Sequence, residues 1–316
     1  MAKYINIKGT NRQVLSSDPS NPTEGQIWYN TTSNTLKGRA FLAAGWSTTG
    51  SMSTGRSSGN AAGITTAALA FGGSPPGGGT NATEEFNGSS WTGGGNLGTA
   101  RYAGASGGVQ TAAFFAGGGF PNKNNTELYN GSSWTASGNL GTANRGLSGC
   151  GTTSAGLAFG GYTSTYYAGT EEFGGSSWTG GGNMATARNS LSGCGTQTAG
   201  LAFGGSTGPV VNSTEEYNGS SWTNGGNLGT ARQRLGGAGL QTAALAFGGL
   251  PSPGIAATEQ YDGSSWTAIA NLGTARGELT GAGTTSSALA IGGGSPNAQT
   301  EEFTAAGLGT VTIDPV

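Results

Sequence analysis

Short apolar runs alternate with polar, glycine-rich stretches along this chain, and the same order of runs returns again and again. Each copy contains an apolar run such as 201–203, a Gly-Gly pair, a polar loop, a Thr-Glu-x-aromatic run and a tryptophan. Short apolar runs bounded by glycine and asparagine are typical of β-strands joined by tight turns. The pattern therefore predicts an all-β protein built from repeated units.

The tryptophans measure the length of the repeat. From Trp46 onward, successive tryptophans are 45, 43, 44, 44 and 44 residues apart, and a Gly-Gly pair follows each of them by 26 residues. The set consists of Trp46, Trp91, Trp134, Trp178, Trp222 and Trp266. A repeat of about 40 to 50 residues indicates a β-propeller, because a small sheet buries its faces only against neighbouring blades. We predict six four-stranded blades with the tryptophans in the core between them.

The two ends of the repeat array are irregular. Leu308 stands where the last copy should have a tryptophan, and Trp46 precedes the first complete copy. We therefore expect an N-terminal strand to complete the last blade. Either Phe41 or Phe303 occupies the third strand of that blade. The predicted domains are a segment 1–37 that contains a β-hairpin and a propeller 38–316 closed by strands from both ends.

Four features of each copy resemble the kelch repeat: an arginine before the first strand, Gly-Gly after the second, Tyr or Phe on the third and Trp on the fourth. The resemblance covers residues 46–303. It implies a six-bladed kelch-like β-propeller of four-stranded blades, preceded by the short N-terminal hairpin. It implies no activity, since kelch propellers serve both as enzymes and as binding scaffolds.

Composition narrows the function. The 316 residues include 65 glycines and no histidine, and the formal net charge is -2. The lack of histidine excludes the copper site of galactose-oxidase-like kelch enzymes, Ser-His-Asp hydrolysis and most zinc sites. We therefore expect a non-enzymatic protein with no cofactor and no metal. The sequence also predicts no nucleic-acid binding, no membrane insertion and no signal peptide, because it has neither a basic surface nor a long apolar run.

The charged residues repeat with the blades. A glutamate follows threonine in every third-strand run, and an arginine lies ten residues after every one of the six repeat tryptophans except Trp134, where Asn144 replaces it. One acid and one base per blade predict a repeated structural ion pair. The residues assigned to these pairs are Arg101, Arg188, Arg232, Arg276, Glu84, Glu171, Glu215 and Glu259. The alternative is a ring of arginines around the channel mouth that binds an anion.

One loop of each copy, between Gly-Gly and the third strand, carries all the variation in repeat length. Several of these loops contain aromatic or branched residues, which are unusual on exposed loops and indicate contact with a partner. The predicted binding residues are Phe120, Asn122, Lys123, Tyr162, Tyr166, Tyr167, Pro209, Val210 and Ile255. The alternative is drift of unconstrained loops.

Residues 22–37 resemble a β-hairpin module found near the start of bacteriophage fibre and other virion proteins. The runs Thr-Glu-Glu-Tyr-Asn-Gly-Ser-Ser-Trp (214–222) and Leu-Ala-Phe-Gly-Gly (201–205) are similar to repeats in predicted structural proteins of marine phages. The resemblance implies a virion protein assembled in the host cytoplasm. It would attach to other virion proteins through its N-terminal segment, bind a host-surface glycan or protein through the variable loops, and could form a homo-oligomer in the particle. The alternatives are a purely structural decoration or joint protein of the capsid or tail, and a kelch-type carbohydrate-active enzyme, which the lack of histidine disfavours.

Overall fold

The computed structural model describes residues 13–76, 78–251, 253–294 and 297–313. These residues form strands and turns, with no helix among them, so none of them belongs to a helix that could cross a membrane. The chain divides into two compact units. The first consists of Met1–Ala44 with Ala305–Val316, and the second is Gly45–Thr304. Residues 1–12 of the predicted attachment segment lie outside the described residues.

The strands follow one another closely, as expected from the short runs of the sequence. In chain order they are β1 (Gln13–Leu15), β2 (Ile27–Asn30), β3 (Thr35–Leu42), β4 (Gly45–Thr49), β5 (Asn60–Ile64), β6 (Ala67–Phe71), β7 (Thr83–Phe86), β8 (Trp91–Gly93), β9 (Ala105–Val109), β10 (Ala112–Ala116), β11 (Thr126–Tyr129), β12 (Trp134–Ser137), β13 (Ser148–Gly151), β14 (Gly156–Phe159), β15 (Thr170–Phe173), β16 (Trp178–Gly180), β17 (Ser192–Thr196), β18 (Ala199–Phe203), β19 (Thr214–Tyr217), β20 (Trp222–Asn224), β21 (Gly236–Leu240), β22 (Ala243–Phe247), β23 (Thr258–Tyr261), β24 (Trp266–Ile269), β25 (Thr280–Gly283), β26 (Ser287–Ile291), β27 (Thr300–Thr304) and β28 (Gly307–Thr312).

The strands of the second unit form six four-stranded antiparallel sheets, which we call repeat sheets 1 to 6. Sheets 1 to 5 are β5–β8, β9–β12, β13–β16, β17–β20 and β21–β24, and sheet 6 combines β25, β26 and β27 with β4. In sheet 6, Phe303 pairs with Trp46. Phe303 rather than Phe41 therefore occupies the third strand of the sheet that joins the two ends of the array.

The all-β prediction is confirmed, but the structure contains seven four-stranded sheets instead of six blades and a hairpin. The predicted hairpin is β2 and β3, and it is extended by β1, which is parallel to β2, and by β28. The C-terminal strand lacks the tryptophan that anchors the fourth strand elsewhere, and its Leu308 pairs with Phe41 of β3. Residues 38–44 and 305–316, predicted as part of the propeller, consequently lie in the first unit.

The first strands of the six repeat sheets lie side by side, and that of sheet 6 also contacts that of sheet 1. A cycle of backbone hydrogen bonds runs along the same path. Each N–H donates to the carbonyl oxygen of the equivalent residue in the preceding sheet, at 2.7 to 2.9 Å. The members are Ser58, Ala103, Gly146, Ser190, Arg234 and Glu278, and Ser58 donates back to Glu278. A cycle that returns to its start gives the repeat sheets a propeller-like arrangement.

All six members of this cycle have left-handed backbone, with φ between 51° and 64°. Only Gly146 adopts such a conformation without a Cβ penalty, and each of the other residues stores about 1 kcal/mol or more. The backbone hydrogen bonds offset this strain because they satisfy polar groups that face the centre of the array.

Every repeat tryptophan joins two neighbouring sheets. The Trp222 indole N–H donates to Thr170 Oγ1 at 2.9 Å, and its ring packs against Phe159 with centroids 5.0 Å apart. The other five indoles make the equivalent bond at 2.9 to 3.1 Å. Trp91, Trp134 and Trp222 are buried, whereas Trp46, Trp178 and Trp266 are half-buried. The tryptophans thus lie in the core between sheets, where the sequence placed them.

A second link between sheets uses tyrosine. The hydroxyl of Tyr217 donates to Glu172 Oε1 of the preceding sheet at 2.5 Å, and Tyr129 and Tyr261 make the equivalent bond. Burial and the neighbouring carboxylate raise the pKa of Tyr217 to about 12. Glu302 of sheet 6 has no such partner in the described residues, because sheet 1 carries Phe86 at the tyrosine position. Burial consequently raises the pKa of Glu302.

Phe86→Tyr should complete this link. We expect the variant to gain about 1.5 to 3 kcal/mol of unfolding free energy at pH 7, the usual contribution of a hydrogen bond to a charged group. The gain depends on an ionised Glu302, so it should be present at neutral pH and disappear as the carboxyl protonates in acid. The matched control is Phe173→Tyr, whose partner position is Leu128. Urea denaturation at pH 7 and pH 4 measures both, and equal effects of the two variants would contradict the link.

The sheet of the first unit is organised around Asp18. Its Oδ1 accepts hydrogen bonds from the buried Trp28 indole at 3.0 Å and from Asn30 at 2.6 Å, and Lys37 Nζ lies 2.7 Å from Oδ2. The Lys37 contact, followed by the bonds from Trp28 and Asn30, lowers the pKa of Asp18 to about 2. One carboxylate thus holds β2 and β3 to the segment that precedes them.

Candidate functional site

The variable loops leave the same edge of the repeat sheets. Each joins the end of a second strand to the start of a third, and in an antiparallel sheet that edge is also where the first strand begins. We call this edge of the second unit the loop face and the opposite edge, which carries the turns between first and second strands, the turn face. The loop face therefore combines the variable loops with the residues that enter the first strands.

Two neighbouring loops meet around Arg145, which enters the first strand of sheet 3. Its guanidinium carbon lies 5.0 Å from the ring centre of Phe120 and 5.1 Å from that of Tyr162, distances typical of cation–π contacts. Its Nη1 donates to Asn122 Oδ1 at 3.0 Å. We call these four residues the Arg145 cluster. Three of them, Phe120, Asn122 and Tyr162, are predicted binding residues, and Arg145 itself was not among them.

The cluster is rigidly linked across two loops. The Asn122 amide group donates to the carbonyl oxygens of Tyr162 at 2.8 Å and Thr163 at 2.7 Å. Tyr166 packs edge-on against Tyr162, with ring centres 5.6 Å apart. Phe120 is nevertheless 73% exposed, the highest value among the large apolar side chains described. An apolar ring that stays in solvent while its surroundings are ordered is available for a partner.

Beside the cluster, a cavity of about 470 Å³ opens among the first strands of all six repeat sheets. We call it the central cavity. Its polar side chains are mainly hydroxyls and amides. Those on the strands and their entries are Ser57, Ser58, Asn60, Ser106, Ser148, Asn189, Ser190, Ser192 and Thr280. A volume of this size accommodates a small ligand.

The charged residues that line the cavity are Arg145, Arg234 and Glu278. Arg234 forms an ion pair with Glu278. Arg145 has no carboxylate partner in the part of the chain that the structure describes. Two guanidiniums and one carboxylate leave the cavity with one net positive charge.

Asn60 is a further polar feature of the cavity wall. Its side chain is buried, and its Nδ2 donates to the Gly104 carbonyl at 2.7 Å and to Ser106 Oγ at 3.0 Å. Its Oδ1 has no hydrogen-bond partner among the described residues. A buried acceptor without a donor is costly to the stability of the fold.

The other predicted binding residues lie elsewhere on the loop face. Lys123, Tyr167 and Ile255 are half-buried, and their carbonyl oxygens accept backbone hydrogen bonds. The donors are the N–H groups of Asn144, Arg188 and Arg276, respectively. Pro209 is exposed and Val210 is half-buried in the loop of sheet 4. Among the described residues, none of these five forms a hydrogen bond, ion pair or ring contact with Arg145. The backbone bonds give Lys123, Tyr167 and Ile255 a structural part in the loops.

The repeated arginines are buried in ion pairs and do not face the central cavity. Arg188 Nη1 lies 2.9 Å from Glu215 Oε1, and both side chains are almost completely buried. The same pair recurs in four other sheets as Arg56–Glu84, Arg101–Glu127, Arg232–Glu259 and Arg276–Glu301. Burial lowers the pKa of Arg101 to about 10, and Glu127 opposes that shift. A ring of these arginines that binds an anion is therefore excluded.

Glu171 is the exception, and its predicted ion pair is absent from the described residues. Asn144 replaces the arginine of sheet 3 and donates through Nδ2 to the Gly160 carbonyl at 2.7 Å. The Glu171 carboxylate accepts N–H groups from Gly141 at 2.7 Å and Thr142 at 3.2 Å instead. An amide cannot carry the positive charge that the prediction required.

Metal ligands and reactive thiols are two further features to consider in the residues that the structure describes. They contain no group of three His, Cys, Asp or Glu side chains that could hold a metal ion. Cys150 and Cys194 are free thiols, and burial raises the pKa of Cys150 to about 12 and that of Cys194 well above its usual value. A thiol held in its neutral form is a weak nucleophile.

In comparisons with known proteins, the chain matches no model of a protein family and no curated protein. The interpretation of the site therefore depends on its geometry. The sequence located the loop face but missed Arg145, Arg234 and Glu278, because none of them belongs to the charge pattern that recurs in every copy. A charged residue where the other copies have small or polar residues is the signal that could have found them.

Proposed function

We propose that this chain is a non-enzymatic virion protein of a bacteriophage. The six repeat sheets form a closed, six-bladed kelch-like propeller whose loop face binds a glycan or protein on the host surface. The segment 1–37 attaches the propeller to other virion proteins. The closed cycle of backbone hydrogen bonds at the centre of the repeat sheets supports the propeller part of this proposal.

The Arg145 cluster is the observation that carries the binding function. Phe120 extends into solvent, yet the loop beneath it is held by Asn122 and Arg145. Binding to a site that is already ordered loses little conformational entropy. The amide, guanidinium and carbonyl groups of two loops form matched hydrogen bonds here, and drift of an unconstrained loop does not explain such a match.

The sheet of the first unit, to which the segment 1–37 contributes β1, β2 and the start of β3, supports the attachment function. Its β3–β28 pair places Phe41 and Leu308 opposite each other, and these side chains are 63% and 43% exposed. Exposed apolar pairs on a small sheet are typical of surfaces that another protein covers.

A structural joint is the second candidate, and it is favoured by the turn face. Val109 and Leu240 end the first strands of sheets 2 and 5 and are 53% and 56% exposed. In this version of the function the turn face docks on a neighbouring virion protein, and the loop face has no receptor.

One pair of variants separates these functions. Phe120→Ser with Tyr166→Ser should abolish attachment of the purified protein to host cells, whereas Val109→Ser with Leu240→Ser should leave attachment unchanged. Both double variants should keep the melting temperature within a few degrees, because three of the four side chains are exposed and the fourth, Tyr166, is half-buried in a surface loop. Flow cytometry of labelled protein on host cells measures attachment. Loss only in the Val109/Leu240 variant, or attachment in neither the parent nor the variants, would overturn the receptor-binding proposal.

A further inference from the structure

We infer that the loop face recognises an anionic sugar, with the acidic group on Arg145 and the sugar ring on Phe120 at the rim of the central cavity. The inference rests on the proposed function and gives its ligand a chemical class. The shared chemistry is a sugar that carries a carboxylate, a sulfate or a phosphate.

The charge of the cavity favours an acidic ligand. The other two charged side chains in its wall, Arg234 and Glu278, compensate each other. The five repeated arginines lie outside the wall, in their own buried pairs. Arg145 alone adds an uncompensated positive charge, although the whole chain has a formal net charge of -2. A concave site with charge opposite to that of the protein concentrates ligands of the complementary sign.

The guanidinium of Arg145 is arranged to hold an oxyanion. It lies between the rings of Phe120 and Tyr162, and its one side-chain hydrogen bond to a described residue uses Nη1. A guanidinium has five N–H donors in a planar fork that matches carboxylate, sulfate and phosphate oxygens. Stacking and the Asn122 bond restrict its orientation, so binding need not order a long flexible side chain.

The surroundings favour a sugar over a simple ion. Phe120 offers an exposed apolar ring on which the C–H face of a pyranose can stack. The cavity beside it is lined with residues that carry hydroxyl and amide groups, including Ser148, Ser190 and Asn60. Its volume of about 470 Å³ is in the range of small-molecule sites. An acidic group, an apolar ring face and several hydroxyls are together the chemistry of an acidic monosaccharide unit.

The test uses the full-length protein on a glycan array that contains uronic, sialic, sulfated and phosphorylated sugars together with neutral forms of the same backbones. We expect binding to acidic glycans over their neutral counterparts, with the strongest class identifying the acidic group. Arg145→Gln should weaken binding about 10- to 100-fold, as expected for loss of a charge-assisted hydrogen-bonded pair. Arg145→Lys, which keeps the charge but not the fork, should weaken it less.

Glu278→Gln should change binding in the opposite direction. It frees Arg234 and raises the net charge of the cavity, so binding to acidic glycans should strengthen and become more sensitive to salt. Unchanged melting temperatures verify that the variants are folded. Preference for neutral glycans, with no effect of the substitutions at Arg145 and Glu278, would overturn the inference and leave the proposed function intact. Absence of binding to any glycan would also overturn it, and attachment to host cells would then indicate a protein receptor.

Discussion

Glu215→Gln is expected to be among the most destabilising single substitutions in this protein. Glu215 and Arg188 are buried side by side in sheet 4, and the second carboxylate oxygen of Glu215 accepts the N–H of Ala185 at 2.6 Å. The neutral amide leaves the guanidinium as an uncompensated charge in the core, which typically costs about 3 to 5 kcal/mol. Chemical denaturation at pH 7 measures the loss of unfolding free energy.

Glu171→Gln is the matched control. Glu171 occupies the same position in sheet 3, where Asn144 replaces the arginine. Its substitution therefore leaves no buried charge without a partner. We expect a cost of about 1 kcal/mol from its weakened bonds to backbone N–H groups. The double variant Arg188→Met with Glu215→Leu should recover most of the stability lost in Glu215→Gln, because it removes both buried charges together. Equal costs for Glu215→Gln and Glu171→Gln would show that the ion pair contributes nothing beyond the hydrogen bonds.

Trp222→Ala should have an effect of similar size through a different cause. The indole is 8% exposed and lies between the rings of Phe159 and Tyr217, each with its centre 5.0 Å away. Its removal opens a cavity between two sheets and should cost about 3 to 5 kcal/mol. Differential scanning calorimetry should record a lower melting temperature and, because neighbouring sheets separate, a broader transition.

Two further variants help to interpret this cost: one measures the contribution of the indole hydrogen bond, and the other is a control at an exposed aromatic ring. Thr170→Val removes the hydroxyl that accepts the indole N–H and should cost about 1 kcal/mol. Phe120→Ala removes an aromatic ring that is largely exposed and should change the melting temperature little. A melting temperature for Trp222→Ala equal to that of Phe120→Ala would contradict the assignment of the tryptophans to the core.

The sequence predicted the features that repeat. Trp222, the Gly-Gly pair after each second strand and the Glu215 position recur in copy after copy, so each could be placed on a strand before the structure was known. The recurrence reflects a packing requirement, since every sheet needs the same contacts with its two neighbours. The same reasoning failed at Glu171, where one copy departs from the rule and only the structure shows which bonds replace the ion pair.

Features without a repeat were harder to predict. The pairing of β28 with β3 joins residues from the two ends of the chain, and neither strand carries a pattern that specifies its partner. Arg145 gains its role from Phe120 and Tyr162, which lie in two different loops. Contacts of this kind depend on how neighbouring sheets align, and periodicity along the chain contains no information about them.

The pairing of the chain ends has a consequence for how the protein withstands damage. The repeat sheets begin at Gly45 and end at Thr304, and these two residues pair with each other in sheet 6. Just beyond them, β3 and β28 pair again. A single proteolytic cut in any variable loop would thus yield two fragments that remain fastened at their outer ends and through the sheet contacts on either side of the cut. Such tolerance of a nick is a form of durability that stability against heat does not provide.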